Sequence, residues 1–216
     1  MVRNIIWDWN GTLLDDTWIC YEIANIMLEE RGLKTIPDFE QYRRIFRFPV
    51  IDWYVVMGYT FEEETYEQVA DEFLILYNRM LPGCGLKDGA KEVTAELKDR
   101  GYRQILLSAT GQDTLEKNIR TFGMAGIFEE LLGQKNDLAF GKSERGRLYM
   151  QKCGMDPKET VLIGDTNHDF EVAELIGAGC ILIDSGNQSG TVLEKCGTPI
   201  IHSLRELLPI FADQAG

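Results

Sequence analysis

No apolar run in this chain approaches the roughly 20 residues that a membrane-spanning helix needs. The first apolar stretch begins within a few residues of Met1, which leaves no room for a signal peptide, so a cytoplasmic location is the expectation. Only two histidines occur, His168 and His202, and no zinc-ligand spacing involves them. The five cysteines (Cys20, Cys84, Cys153, Cys180 and Cys196) show no paired spacing and read as reduced, mostly buried small apolar residues. Positive charge is scarce as well: 22 Lys and Arg against 35 Asp and Glu leave a net charge of -13. No nucleic acid and no membrane partner is expected, because binding phosphate backbones or anionic lipid needs a basic face. A small anionic substrate would need a local positive island made by a metal ion, a lysine or helix N-termini.

What is present fits a globular protein. At 216 residues, 44% of them hydrophobic, the chain can bury a full core, alone or with a smaller insert. From about Leu81 onward short apolar runs alternate with helical patterns. Residues 103–107 (RQILL), 160–163 (TVLI) and 180–183 (CILI) read as short buried strands, with 5–9 a further strand of the same sheet. Residues 89–100, with Ala90, Val93 and Leu97 in register, and 114–122, with Leu115, Ile119 and Phe122, read as helices. Gly101 and Gly123 fall where their C-caps belong. The alternation predicts an α/β fold, a Rossmann-like doubly wound parallel sheet with helices on both faces.

Residues 16–81 carry no convincing strand. Ile19, Ile23 and Ile26 mark one helix ending at Arg31-Gly32, Asp38 caps a second that runs toward Phe46 and breaks at Pro49, and Tyr66, Val69, Phe73, Leu76 and Met80 stripe a third. The expected division is a core domain of 1–15 and 82–216, interrupted by an all-helical cap domain of 16–81.

Chemistry-bearing residues fall at three strand ends: Asp8, Asn10 and Thr12 after the first, Ser108-Ala-Thr-Gly111 after the second, and Gly164-Asp-Thr-Asn-His-Asp169 after the third. Ligands of open parallel sheets bind at the C-terminal edge, so these groups converge although they lie far apart in the chain. One acidic turn would be weak evidence, since Asp and Gly are common turn formers. Three at corresponding strand ends are stronger. Carboxylates gathered there repel one another unless a cation intervenes, and oxygen ligands without Cys or His suit magnesium. Lys142, just ahead of a helical pattern, could offset charge there; taken alone it reads as a surface residue at a helix start.

These residues together resemble the haloacid dehalogenase superfamily, in its phosphatase-like branch with a small helical cap (phosphoglycolate phosphatase and β-phosphoglucomutase-like members). The first family motif, Asp-x-Asp-Gly-Thr, reads here Asp8-Trp-Asn-Gly-Thr12; Ser108 matches the second, Lys142 the third, and Gly164-Asp-Thr-Asn-His-Asp169 the fourth. The resemblance implies a Mg2+-dependent hydrolase acting on a small phosphorylated metabolite, with Asp8 as the nucleophile that forms an aspartyl-phosphate. It implies magnesium held by the Asp8 carboxylate, the Asn10 backbone carbonyl and Asp165, with Asp169 completing the metal set by orienting the metal's waters or Lys142. Ser108, the Gly11–Thr12 turn and the backbone amides of Gly11 and Ala109 would hold phosphoryl oxygens, and Lys142 would offset their charge.

Asn10 departs from the pattern. In the family's phosphatases an acid there protonates the leaving oxygen and then activates water; an amide cannot, and general acid–base catalysis typically contributes about 10²–10⁴-fold. Four explanations stay open: a leaving group that needs no acid, a proton from Asp16, His168 or a cap residue, a binder of phosphorylated ligands with little turnover, or an introduced trap. The family's dehalogenases work without metal, so Asp165 and Asp169 speak against that chemistry. Its phosphonatases use a cap lysine, for which Lys34 is the one candidate between 16 and 81. Arg43, Arg44 and Arg47 cluster in the cap, and Arg47 is a candidate anchor for a second anionic group; a solvated helix face paired to nearby acids is the competing reading. Nothing marks a dimer face, so the oligomeric state is left open.

Overall fold

The computed structural model describes residues 1–134 and 142–212. Its strands are β1 (Asn4–Trp7), β2 (Leu14–Asp15), β3 (Gly85–Leu86), β4 (Arg103–Gly111), β5 (Glu130–Gln134), β6 (Thr160–Gly164), β7 (Gly179–Ile183) and β8 (Ile200–Ile201). Six of them form one parallel sheet in the order β5-β4-β1-β6-β7-β8, while β2 and β3 pair antiparallel as a small ribbon. The helices are α1 (Thr17–Glu30), α2 (Phe39–Ile45), α3 (Val50–Val56), α4 (Tyr66–Met80), α5 (Ala90–Asp99), α6 (Gln112–Thr121), α7 (Ser143–Cys153), α8 (Asn167–Ile176), α9 (Gly190–Leu193) and α10 (Leu207–Ala212).

The sheet is apolar on both faces because successive side chains alternate. Ile5 and Trp7 of β1 join Leu106, Val161, Ile163, Ile181 and Ile183 on one face, where α5, α6 and α10 pack with Val93, Leu97, Leu115, Ile119 and Phe211. Ile6 joins Ile105, Leu107 and Leu162 on the other, covered by Met150 of α7 and Val172 and Ile176 of α8. Helices on both faces are what the alternating sequence pattern predicts.

Three local details differ from the sequence expectation. β4 runs on through Ser108 to Gly111, with its register against β5 shifting between Leu107 and Gly111. β5 was not foreseen: only Leu131 and Leu132 are apolar in it, too few for a pattern, and its edge position leaves Glu130 exposed. In the insert, Pro49 separates two helices where one was expected, and the buried ridge of α1 is Ile19, Ile23 and Met27, with Ile26 turned outward. Asp38 caps α2 as expected, accepting from the Gln41 amide at 2.7 Å, and Gly101 and Gly123 take the left-handed conformation that ends α5 and α6.

Helices α1 to α4 enclose their own apolar cluster, built on Ile19, Ile23, Met27, Tyr42, Trp53, Tyr54, Val69 and Tyr77. Backbone contacts tie this insert to the loop after β7. The Arg43 guanidinium donates to the carbonyls of Gly186 (2.9 Å), Gln188 (3.1 Å) and Asp184, and the Ser189 amide donates back to the Arg43 carbonyl. Arg43 and Arg44 also both pair with Glu40. All five cysteines are free thiols, and no helix among the described residues is long and apolar enough to cross a membrane.

Candidate active site

Strand β1 hands directly into the first acidic turn. The Asp8 amide still donates to the Ile163 carbonyl of β6 (2.9 Å), which fixes the carboxylate at the C-terminal edge of the central strand. The Trp9 carbonyl then collects the amides of Thr12, Leu13 and Leu14, and Gly11 turns the chain at φ 75°. A Cβ at Gly11 would lie 2.2 Å from Asp165 Oδ2 and 2.5 Å from Asn187 Nδ2. Gly11→Ala is therefore expected to lose stability, about 1–2 kcal/mol from the left-handed backbone alone, and to displace Asp165. A lower denaturant midpoint together with weaker magnesium binding checks this; a midpoint equal to that of the parent would refute it.

Three buried carboxylates, Asp8, Asp165 and Asp169, bring oxygens within 4.8 Å of one another. Among the described residues one cation answers them: Lys142, at the N-terminus of α7, places Nζ 2.5 Å from Asp8 Oδ1 and 2.5 Å from Asp169 Oδ1, with its side chain only 4% exposed. Asp169 is held from α8, its Oδ2 accepting from the Asp165 amide (3.1 Å), the Thr166 amide (3.0 Å) and the Thr166 hydroxyl (2.7 Å). Asp165 Oδ2 accepts from the amide (2.5 Å) and the side chain (3.0 Å) of Asn187.

The charge balance is uneven. Burial pushes the Asp8 carboxyl up to about 6, the pull of Lys142 working against that and the charge of Asp169 adding to it. Burial, then the charges of Asp8 and Asp169, drive Asp165 well above the usual carboxylate range. Burial alone would also raise Asp169, but Lys142 and the Thr166 hydroxyl outweigh it and hold Asp169 below its ordinary value. Burial opposes the Lys142 charge, yet its two carboxylate partners leave its pKa raised. The unmet negative charge sits on Asp8 and Asp165, and two adjacent hard oxygen donors of this kind suit a divalent cation such as magnesium. Asp169, saturated by its donors and by Lys142, is placed to position the lysine.

Asn10 sits between two kinds of partner. Its Oδ1 accepts from the Thr110 hydroxyl at 2.7 Å and lies 3.5 Å from the Ser108 hydroxyl, while its Nδ2 donates to Asp16 Oδ2 at 2.7 Å and to the Tyr77 hydroxyl at 2.9 Å. Asp16 also accepts from the Gly11 amide and the Tyr77 hydroxyl, both at 2.7 Å. Burial pushes the Asp16 carboxyl up against these hydrogen bonds. An amide suits this position because it donates toward a carboxylate on one side and accepts hydroxyls on the other.

A cavity of about 190 Å³ lies between this edge and the helical insert. Asp8, Asn10, Lys142, Asp165, Asp169 and Ala109 line its floor. The other expected residues are placed differently. The Gly11 amide points to Asp16 Oδ1 and the Leu14 carbonyl, which leaves it committed rather than open to a phosphoryl oxygen. The Thr12 hydroxyl donates toward Asp8 Oδ2 (3.0 Å) and Asp165 Oδ1 (3.4 Å), so it steadies carboxylates. Ser108 is fully buried, and its Oγ accepts from the Thr110 amide at 3.1 Å. Arg47 is exposed, donates to the Ile45 carbonyl and does not line the cavity, whereas its neighbours Phe46 and Phe48 do. Lys34 is exposed and outside it as well.

Sequence reasoning missed Asn187, Thr110 and Tyr77. Asn187 follows the end of β7, so the strand-end rule applied to a fourth strand reaches it. Thr110 lies in the Ser108–Gly111 segment already singled out. Tyr77 falls outside the stripe drawn for α4, and no pattern in the sequence pairs it with Asp16.

The model of the family described as haloacid dehalogenase-like hydrolase matches residues 5–183. Among curated proteins the chain is 22% identical over 218 aligned residues to a tyrosine-protein kinase of Mycobacterium tuberculosis, covering 95% of this chain and 72% of that protein. It is 27% identical over 130 residues to a phosphoglycolate phosphatase of Haemophilus influenzae, covering 58% of this chain and 56% of that one. A haloacid dehalogenase-like structure from Agrobacterium tumefaciens superposes over 100% of both chains with a TM-score of 0.79 at 18% identity.

Proposed function

The chain belongs to the haloacid dehalogenase-like hydrolase family, and within it we propose a magnesium-dependent phosphatase that acts on a small phosphorylated metabolite. The observation that carries this reading is Lys142 bridging Asp8 and Asp169 beside Asp165 at the floor of the cavity. Residues 16–81 act as the cap and the remainder as the catalytic core.

Asp8 is the nucleophile: a carboxylate oxygen attacks phosphorus, the leaving oxygen departs, and water hydrolyses the resulting aspartyl-phosphate. Asp8, Asp165 and the Asn10 backbone carbonyl would hold magnesium, which when bound supplies charge neutralisation for the phosphoryl group. Lys142, positioned by Asp169, offsets charge on the phosphoryl oxygens, and Ala109 at the cavity floor contributes to their cradle. The insert covers the site and excludes bulk water. Phosphoryl transfer depends mainly on positioning and charge stabilisation, which these groups provide.

Magnesium-dependent release of phosphate from acetyl phosphate and a panel of esters tests the reading. Retention of phosphorylated ligands without any release would favour a binding or regulatory module instead.

Metal binding should also depend on pH. The folded-state value of Asp8, about 6, lies above its ordinary 3.8, so its proton stabilises the fold below that ordinary value and the effect is lost as pH rises through about 6. A divalent cation takes over once the proton is gone. Magnesium should raise the melting temperature little at about pH 5 and clearly at about pH 7.5. An equal rise at both would contradict the assignment of Asp8 as a ligand.

A further inference from the structure

The wall of the cavity contributed by the insert is apolar and aromatic: Phe46, Phe48, Val50, Trp53, Phe73 and Leu74 line it. Lys142 is the one lysine or arginine among the described lining residues, and Asp8 and Asp169 already hold it. Arg43 of the insert spends its guanidinium on three backbone carbonyls and on Glu40. The charge that does face the cavity from the cap side of Asn10 is Asp16. A second anionic group on the substrate would thus be buried unpaired or beside a like charge, which is costly.

Sugar-like substrates fare no better. The buried lining nitrogens that lack a partner are Trp53 Nε1 on the insert and His168 Nε2 on α8, and with the Asn78 amide and the hydroxyls of Tyr54, Tyr66 and Thr114 they are polar groups scattered over a mostly apolar lining. The volume, about 190 Å³, suits a ring, since an apolar cavity of roughly 150 Å³ holds benzene. Phe48 stacks on His168 at 4.7 Å and Phe73 on Tyr77 at 6.3 Å, so flat surfaces and ring edges are available for offset or edge-on contact.

Resting on the phosphatase reading above, we infer that the substrate class is aryl phosphate monoesters whose ring carries no charge. The chemistry of Asn10 is compatible with the same class, because it favours leaving groups that need no proton, phenols among them. Asn10 delivers no proton, which favours a leaving oxygen that can depart as an anion. Phenols ionise near 10, as tyrosine does, against about 15.7 for water. In the first step the Asp8 oxygen bonds to phosphorus and the phosphorus–aryl oxygen bond breaks, its electron pair leaving on the phenoxide, which takes a proton from solvent. Water then attacks the aspartyl-phosphate, releasing inorganic phosphate and restoring the Asp8 carboxylate. The sum is ester plus water giving phenol plus phosphate.

The test compares 1-naphthyl and phenyl phosphate with glycerol phosphate, phosphoglycolate and acetyl phosphate, and in parallel measures binding of phenylphosphonate and methylphosphonate. The aryl esters should exceed glycerol phosphate and phosphoglycolate in kcat/KM by about 10²-fold or more, and phenylphosphonate should bind about tenfold more tightly than methylphosphonate. Phe73→Ala and, as a second variant, Leu74→Lys should each narrow both preferences about tenfold. A preference for glycerol phosphate or phosphoglycolate would overturn the aryl class while leaving the phosphatase reading intact. Equal binding of the two phosphonates would overturn it even without turnover. Tight phenylphosphonate binding with no phosphate release from any ester or from acetyl phosphate would instead sink the phosphatase reading, and the hydrolytic inference with it.

Discussion

Asp8→Asn should abolish phosphate release, by roughly 10⁴-fold or more, and leave a protein at least as stable as its parent. The activity loss follows from removing the nucleophile, since an amide oxygen forms no hydrolysable acyl phosphate under these conditions. The stability follows from the charge balance. Among the described residues Asp8, Asp165 and Asp169 face a single lysine, and burial holds Asp8 near 6 and Asp165 well above its ordinary range. Replacing one of these carboxylates by an isosteric amide relieves repulsion while Lys142 keeps Asp169 as its partner. Phosphate release is measured with magnesium present, and the melting temperature without added metal. A variant that is inactive but melts well below the parent would assign Asp8 a structural role and undermine its place as nucleophile.

The second large effect is a gain. Asn10→Asp puts a carboxylate oxygen where Nδ2 now stands, 2.7 Å from Asp16 Oδ2 and 2.9 Å from the Tyr77 hydroxyl. Two buried carboxylates at that distance cannot both ionise, so the pair shares a proton and titrates as a unit. The Tyr77 hydroxyl has one hydrogen and already donates it to Asp16. The shared proton therefore bridges residue 10 and Asp16, which keeps the introduced acid protonated near neutral pH, the state a general acid needs. Hydrolysis of glycerol phosphate should rise by about 10²-fold or more, whereas aryl and acyl phosphates should change by no more than about threefold. The profile for the poor leaving group should fall at high pH as the shared proton is lost. A uniform response across the panel would refute the view that the leaving group compensates for Asn10.

Much of the core was legible because burial on both sheet faces forces near-continuous apolar strands, and 103–107, 160–163 and 180–183 all lie inside observed strands. β5 escaped because an edge strand with two leucines carries little pattern. The site residues were legible where they lie toward or just past the C-terminal ends of strands, as Asp8, Ser108 and Asp165 do. Their partners were not. Arg47 looked like an anchor because arginines clustered, but α2 turns Arg43 to the backbone of residues 184–188 and leaves Arg47 exposed. Gly11 looked like a phosphoryl donor until Asp16, five residues on, was found to take its amide.

The sequence by itself determined a doubly wound α/β protein with an acidic site at its C-terminal sheet edge, because strand-end position and residue type suffice for that, while Lys142 entered the site only through the family resemblance. It also raised the problem of Asn10, since an amide's inability to donate a proton to a leaving group is a property of the residue. Only the tertiary structure decided what Asn10 does there and what kind of wall faces it. The Asp16–Tyr77 pairing spans 61 positions from the core turn to α4, and the aromatic wall combines α2, α3 and α4 with the residues between them. Contacts of that kind are set by how helices pack over the sheet edge, and no local pattern in the chain encodes them.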